Sequence, residues 1–326
     1  MFRIGIIGIG RIGAGLEEDP LRIKPCTHTG GILKNNKLLI TSVCDIDKTK
    51  LSLFGKRYKV SRLYIDFKKM LKNEVLDALV IATWTDSHKA ITCEAARRGV
   101  KLIICEKPMA FSRKDCDSMV RTCKQYGSIL MINHERRWEE MYRKVKEMIT
   151  EKKIGEIRTV TANVLTERSF KKKSFRIDKS SLLHDGTHLI DMALYLFGDP
   201  ESINGFIPRS RKDSAYGIIT FRNDIVLFLE TGGERNYFNF ELDILGTDGR
   251  IKIGNEYKEL WIKKKSRRYK GFRELEKINF PRFSIKNSFI EEYREVVRLL
   301  EGKIRKPSSS GEDGMKTIEV IEKLVK

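Results

Sequence analysis

The stretch HDGTH sets His184 and His188 four residues apart, with Asp185 directly after the first, and only five histidines occur in 326 residues. Three chemistries fit such a pair. One is metal binding: histidines at i and i+4 of a helix can share a zinc ion, with an acid activating water, the H-E-x-x-H arrangement. The second is proton transfer, because an imidazole with a pKa of roughly 6.5 takes and returns a proton near neutral pH. The third is structural, two buried histidines whose nitrogens are satisfied by neighbours. Zinc needs a third ligand and an open position, and no H-x-E or distal Glu is marked. Asp185 is also shorter than the Glu that activates water. Read as one helix, 182–197 places His184, His188 and Asp191 on one face. Almost everything else in it is apolar (Leu182, Leu183, Leu189, Ile190, Met192, Ala193, Leu194, Leu196, Phe197), so the helix is expected to be buried. Its polar stripe must then be hydrogen-bonded or line a cavity. The expectation is a proton-transfer site without metal.

A second group of chemistry-bearing residues lies at the N-terminus. Gly8, Gly10 and Gly13 form G-x-G-x-x-G directly after the strand-like FRIGIIG, with Arg11 and Ile12 inside the loop. Only glycine permits the tight turn and the close approach of a pyrophosphate, which would sit on the N-terminus of the helix that follows. The partner acid that would bind a ribose hydroxyl should end the second strand, and Asp45 does so in VCDID. The segment EEDPLRIKPCTHTGG lengthens the distance between loop and acid beyond the usual ~20 residues. An acid there accepts from a 2′-OH and repels a 2′-phosphate, which favours NAD over NADP. Asp45 could alternatively cap the next helix, but Asp47, just before KTKLSLF, is the better cap.

These residues need elements to hold them. LLITSVCD, LDALVIAT and VKLIICE are short apolar runs rich in Ile and Val, which read as buried strands. Between them lie the helix-like KTKLSLFGKRY, SHKAITCEAARRG and RKDCDSMVRTCKQYG, the last two stopping at Gly. Strands alternating with helices imply a parallel sheet covered on both faces. SILMIN (128–133) reads as one more strand, and the domain boundary is placed beside it, at 128/129. Beyond about residue 150 the pattern changes. RTVTANVLTE is strand-like, AYGIITFRNDIVLFLETGG reads as two strands joined at RND, and ELWIKKK as another. NFELDILGTDGRIKIG carries Asp248-Gly249 between alternating runs, a hairpin signal. Helices are expected at 287–301 and 312–325.

Composition excludes several classes. Hydrophobic residues make up 40% and charged residues 33% of the chain, a globular balance. No apolar run approaches the ~20 residues of a membrane helix, and the glycine-peppered start is not a signal peptide. A cytoplasmic protein is therefore expected. Six scattered cysteines with no C-x-x-C argue against a disulfide framework or structural zinc; Cys44 and Cys105 read as small buried hydrophobes. The net charge of +20 is densest in KKKSFR (171–176) and KKKSRRYK (263–270). No nucleic-acid motif accompanies it, so it reads as solvated surface with a secondary attraction for anionic substrates. No nucleic-acid or membrane partner is expected.

Glu106-Lys107-Pro108, ending a strand, introduces a resemblance. IATWTDSHKAITCEAARRGVKLIICEKPMA resembles the run from T-P-x-x-x-H through E-K-P of the Gfo/Idh/MocA family, the glucose-fructose oxidoreductase and inositol dehydrogenase-like enzymes. IGEIRTV is similar to the strand that opens that family's second domain, LLHDGTHLIDMALYLFGDP to its catalytic helix, and PSSSGEDGMKTIEVIEKL to its C-terminal helix. Together these segments span nearly the whole chain. The resemblance implies reversible oxidation of a secondary alcohol on a sugar, cyclitol or related polyol, with a nicotinamide cofactor. It maps the motif lysine to Lys107, which would bond the reacting oxygen, and puts Glu106 beside the nicotinamide ribose. It maps the general base to His188. The family's acid, four residues earlier, is replaced by His184, with Asp185 next to it. The proline after Thr83, itself a cofactor contact, is replaced by Trp84. His88 matches the family's histidine and reads as structural. His134 with Arg136-Arg137-Trp138 could contact substrate or only join the domains, and the latter is favoured. His28 could begin a helix or face the cofactor.

The expected architecture is thus α/β: a Rossmann NAD-binding domain (1–128) and a C-terminal α/β domain with a largely antiparallel sheet (129–326) for substrate and oligomer contacts. The expected activity is that of an NAD(P)-dependent dehydrogenase acting on CH–OH groups, with anionic and nucleotide-linked sugars among the candidate substrates; NAD is favoured. The alternative is a non-catalytic dinucleotide-binding sensor of the same fold, for which the absent acid at 184 is the best support. One open sheet face would call for a homodimer or homotetramer. Lys107 and His188 are expected to serve the same substrate oxygen, with His184 or Asp185 orienting His188.

Overall fold

The protein is described from a computed structural model covering residues 1–167, 181–208, 214–255, 257–284 and 286–325. It divides into two compact units, Met1–Glu139 with Lys286–Ile318, and Glu140–Ile285 with Glu319–Lys326.

The first unit is built on six parallel strands, β1 (Phe2–Ile7), β2 (Leu38–Cys44), β3 (Arg62–Tyr64), β4 (Ala78–Ile81), β5 (Leu102–Glu106) and β6 (Ile129–Asn133). Their spatial order is β3-β2-β1-β4-β5-β6, the doubly wound Rossmann order, so the chain reverses its direction of progress between β1 and β4. The helices alternating with the strands are α1 (His28–Leu33), α2 (Lys48–Tyr58), α3 (Phe67–Asn73), α4 (Thr85–Arg97) and α5 (Arg113–Gln125). The apolar runs read from the sequence become β1, β2, β4 and β5. Asp47 caps α2 as expected, accepting from the N–H groups of Thr49 at 3.0 Å and Lys50 at 3.1 Å. One face of the sheet packs Ile4, Ile6, Val80 and Ile104 against Ile32 of α1, Leu51 and Phe54 of α2, and a helix from the end of the chain. β6 pairs with β5 from Leu102↔Ile129 to Glu106↔Asn133. It therefore belongs to this sheet, and the unit runs past the 128/129 boundary read from the sequence. All six cysteines are buried and free. Burial pushes the thiols of Cys44 and Cys123 up to about 12, as inert small hydrophobes.

The second unit holds α6 (Glu140–Thr150), α7 (Ser181–His184) and α8 (Gly186–Phe197) against an eight-stranded sheet. Its strands are β7 (Ile157–Glu167), β8 (Pro200–Phe206), β9 (Ser214–Phe221), β10 (Val226–Arg235), β11 (Asn239–Gly246), β12 (Gly249–Gly254), β13 (Lys258–Lys265) and β14 (Arg273–Ile278). The order is β14-β13-β12-β11-β7-β10-β9-β8, antiparallel everywhere except between β10 and β7. The hairpin expected at Asp248-Gly249 joins β11 to β12. Val160, Ala162, Leu227, Leu242, Ile244 and Ile251 alternate into the core. Their neighbours on the other face include the exposed cross-strand pair Ile218 and Phe228, and the ion pairs Arg250–Asp243 and Lys252–Glu241. The chain closes with α9 (Ser288–Leu300), which supplies Phe289, Tyr293 and Val296 to the first unit's core, and α10 (Gly311–Leu324).

Candidate active site

The glycine loop leaves β1 at Gly8, whose φ of +91° only glycine adopts easily. A Cβ there would lie 2.5 Å from the carbonyl oxygen of Ala82, and one on Gly13 would lie 2.2 Å from that of Gly8. Both glycines are demanded by the protein's own backbone. Gly10 is not: a Cβ there would meet nothing within 4 Å. Its bare backbone borders open space, which is the close-approach position a pyrophosphate needs, so the loop fits a dinucleotide. Arg11 is exposed, and Ile12 packs against the core.

The helix expected after this loop is realised in two pieces. A tight turn bonds the N–H groups of Ala14 and Gly15 to the carbonyl of Gly10, and a short 3-10 stretch ends at Glu18. The chain then loops out. Glu17 ties the loop shut, its Oε1 accepting from the N–H of Cys26 at 2.7 Å and the hydroxyl of Thr27 at 2.9 Å. When α1 begins, the N–H groups of His28 and Thr29 bond to the carbonyls of Ile12 and Gly13 at 3.1 and 3.0 Å. Those are the carbonyls the next helical turn would have taken had the chain not left. The insertion is an excursion from a helix that resumes on its own first turn.

Asp45 follows β2 and is half-buried. Its Oδ2 accepts from the N–H of Ile9 and its Oδ1 from that of Asp47, both at 2.9 Å. Thr83 follows β4; its hydroxyl lies 2.6 Å from that of Ser87. The neighbouring Trp84 is 77% exposed. His88 is buried, its ring nitrogens each 3.1 Å from a backbone carbonyl, those of Thr83 and Pro108. Burial pushes its pKa down. It links the segments after β4 and β5, the structural role expected of it.

Glu106 closes β5 and is 6% exposed. Its Oε1 faces Nε2 of His28 at 2.9 Å and accepts from the amide of Asn133 at 2.6 Å; Oε2 accepts from the N–H of Lys107 at 3.2 Å. Burial pushes this carboxyl up, but the hydrogen bond from His28, the charge of Lys107 and the Asn133 amide outweigh it and hold it below the usual range. Lys107 is half-buried. Sequence reasoning left His28 undecided and missed Asn133 and Tyr293. The polar end of ILMIN, opposite Glu106 in the register, was a signal for Asn133; nothing local marked Tyr293.

His134 and Arg137 turn instead to the returning chain. Nδ1 of His134 lies 3.0 Å from the hydroxyl of Ser309, and Arg137 donates to the carbonyl of Ser308 at 2.7 Å and pairs with Asp313 at 3.4 Å. Trp138 donates to Glu295 at 2.9 Å. This run fastens the end of β6 to the 286–318 segment of its own unit.

In the second unit the expected single helix over 182–197 is broken. α7 stops at His184, and α8 starts beyond Asp185. The hydroxyl of Thr187 bonds back to the carbonyls of Leu183 and His184, and the N–H of His188 reaches Asp185 three residues back. This tightened turn separates the two histidines. The His184 side chain is 54% exposed and its Nδ1 lies 2.9 Å from Asp185 Oδ1, whereas His188 and Asp191 are buried. The polar stripe is therefore not one surface. Among the described residues, no three His, Cys, Asp or Glu are grouped to hold a metal ion, and no helix is long and apolar enough to cross a membrane. KKKSFR (171–176) lies outside the described residues.

Residues 2–134 match the Gfo/Idh/MocA model of an oxidoreductase family with an NAD-binding Rossmann fold, and residues 142–252 match the C-terminal domain model of the same family. The chain is 26% identical to a D-apiose dehydrogenase of Paraburkholderia graminis over 87% of its own length and 79% of that protein's. It is 22% identical to the myo-inositol 2-dehydrogenase of Thermotoga maritima over 96% and 92%. The fold matches the WlbA dehydrogenase of Bordetella pertussis, solved with NADH and UDP-GlcNAcA, with a TM-score of 0.79 at 20% identity, covering 99% of this chain and 95% of that one.

Proposed function

The chain belongs to the Gfo/Idh/MocA family of NAD-binding oxidoreductases, and from that premise we propose that it interconverts a secondary alcohol and a ketone on a sugar, cyclitol or related polyol. One observation carries the reading. Gly8, Asp45, Thr83, Glu106-Lys107 and Asn133 all stand at or just beyond the C-terminal ends of β1, β2, β4, β5 and β6, the edge where open α/β sheets bind ligands, and the glycine loop lies at the reversal between β1 and β4.

The cofactor would be held by the bare backbone at Gly10, by Asp45 at the adenosine ribose and by Glu106 at the nicotinamide ribose; when bound, NAD supplies the hydride acceptor. Asp45 disfavours a 2′-phosphate, so NADP is the weaker ligand. Lys107 is the fixed cation that holds the substrate oxygen as it gains alkoxide character. The imidazole of His188 takes the hydroxyl proton in oxidation and returns it in reduction. His184 and Asp185, already paired with each other, are the candidates for orienting it. A homodimer or homotetramer, and a cytoplasmic setting, complete the proposal.

The test follows nicotinamide absorbance with purified protein and a panel of polyols, cyclitols and free sugars. The net charge of +20 draws anions, so sugar acids and nucleotide sugars belong in the panel. Turnover with at least one class is expected. Tight NADH binding with no turnover on any of them would point to the sensor reading instead.

A further inference from the structure

We propose that His28, a residue of the looped-out segment, is a positioning residue for Glu106: clasped by Tyr293 and bonded to the glycine loop, it fixes the carboxylate that meets the cofactor. The proposal rests on the reading of Glu106 as the nicotinamide-ribose acid.

Geometry confines the His28 ring. It is fully buried, with its plane nearly perpendicular to those of Phe289 and Tyr293, at centroid distances of 5.6 and 6.0 Å. Both ring nitrogens are engaged, Nε2 with Glu106 Oε1 at 2.9 Å and Nδ1 with the Tyr293 hydroxyl at 2.8 Å. An ionised carboxylate only accepts, so Nε2 carries the proton and donates, and Tyr293 donates to Nδ1; the Asn133 amide nitrogen, 3.3 Å from Nε2, therefore gives its N–H to Glu106 and not to the ring. Burial pushes the Tyr293 phenol well up, which keeps it a donor. The result is a directional chain, Tyr293 to His28 to Glu106, that fixes the tautomer of the central ring as a carboxylate fixes a metal-binding histidine.

The chain also settles what Glu106 has left to offer. A carboxylate has about four lone-pair sites. His28 and Asn133 occupy Oε1, and the N–H of Lys107 takes one site on Oε2. One site on Oε2 remains for a hydroxyl donor such as a ribose. The segment that fixes it is the one that rests on the carbonyls of Ile12 and Gly13, where the Thr29 hydroxyl adds a further bond to Gly13 at 2.6 Å. His28 and Thr29, the first two residues of α1, thus couple the pyrophosphate loop to the ribose acid.

Charged and titratable groups face Glu106 from each neighbouring element: His28 on α1, His88 on α4, Lys107 beside it, Glu135 after β6, and Glu292 and Tyr293 on α9. Burial pushes Glu292 well up, with Glu106, Glu135 and Glu295 adding to it, so the negative charge stays on Glu106. Without His28, burial would raise Glu106 towards protonation.

The experiment titrates NADH and ADP by fluorescence and calorimetry between pH 5.5 and pH 9 for the wild type, His28→Leu, His28→Gln, Glu106→Gln and the double variant His28→Leu/Glu106→Gln. NADH reaches Glu106; ADP lacks the second ribose. In His28→Leu we expect NADH affinity to fall by about tenfold or more, the loss of one hydrogen bond to a charged group. ADP affinity should stay within about twofold, and the acid limb of NADH binding should move to higher pH. His28→Gln, which keeps an N–H donor, should recover part of the loss. In the Glu106→Gln background, His28→Leu should add nothing. Wild-type NADH affinity and pH profile in His28→Leu, with Glu106→Gln impaired, would overturn the proposal. So would an equal loss of NADH and ADP affinity in both His28 variants, the mark of a merely structural residue. Unchanged NADH binding in Glu106→Gln would instead overturn the reading of Glu106 beneath it.

Discussion

Asp45 and Ile9 are joined across the first two strands of the Rossmann sheet: the N–H of Ile9 donates to Asp45 Oδ2 at 2.9 Å. The acid read from the sequence as a ribose ligand therefore also pins the second residue of the glycine loop. It still has lone pairs to spare, since each oxygen accepts one backbone N–H. Asp45→Asn keeps an acceptor for Ile9 but removes the charge, and Asp45→Ala removes both. We expect NADH to bind about tenfold more weakly in Asp45→Ala. NADPH should weaken less or improve, and more so in Asp45→Asn. Dissociation constants for both reduced cofactors check this; tighter binding of NADPH than NADH by the wild type would refute the assignment.

Glu292 gives a prediction for stability. It is fully buried, with no hydrogen-bond partner on either oxygen, and burial raises its pKa well above the carboxylate range. A carboxyl whose folded pKa is raised costs nothing below its unfolded pKa. It then costs about 1.4 kcal/mol for each pH unit climbed between the unfolded and folded values. Glu292→Gln removes that titration while leaving a neutral polar group of similar size. Its Tm should match the wild type near pH 4 and exceed it increasingly from pH 5 to pH 8. Thermal melts across that range decide the matter, and a gap that does not widen with pH would show that Glu292 is not held protonated.

How far the sequence could be read depended on how local each cause was. β1, β2, β4 and β5 were legible because strands buried on both faces are continuous apolar runs. β3 is only three residues long, and β8 and β14 lie at sheet edges with mostly exposed or half-buried residues, so no pattern marked them. The glycine loop and Asp45 were legible as a motif, but the split helix depends on His28 and Thr29 returning to Ile12 and Gly13 across the excursion. Nothing local signals that return. His28 meets Glu106 and Tyr293 across 78 and 265 positions. The break at Asp185 was hidden for the opposite reason. The i, i+4, i+7 reading assumed an unbroken helix, and the Thr187 hydroxyl and a three-residue backbone bond at His188 tightened the turn instead.

That break bears on metal. A zinc ion shared by His184 and His188 would need both imidazoles in one environment. One side chain is 54% exposed and lies against Asp185, while the other is buried. Purified protein should carry far less than one zinc per chain by elemental analysis, and chelators should leave turnover unchanged. Stoichiometric zinc whose removal abolishes activity would reverse this.

Lys107 follows Glu106 at the C-terminal edge of the Rossmann sheet, and His188 is held within the buried α8 of the second unit. Neither is assigned to the pyrophosphate or the adenosine ribose, which fall to the glycine loop and Asp45. Lys107→Ala and His188→Ala should therefore leave NADH affinity nearly intact while lowering kcat by about 10²–10⁴-fold, the usual contribution of a general acid–base group. The two losses should differ in pH dependence. Removing His188 takes away the assigned proton acceptor, so the residual rate should rise with hydroxide. Lys107→Arg, which keeps the charge but changes its geometry, should recover only part of the rate. His184→Ala and Asp185→Ala should cost less than His188→Ala, because they act through it. Steady-state kinetics on the substrate found in the panel, with cofactor affinity measured in parallel, separates these outcomes. If His188→Ala turned over at close to the wild-type rate, the base would lie elsewhere and the buried histidine would be structural.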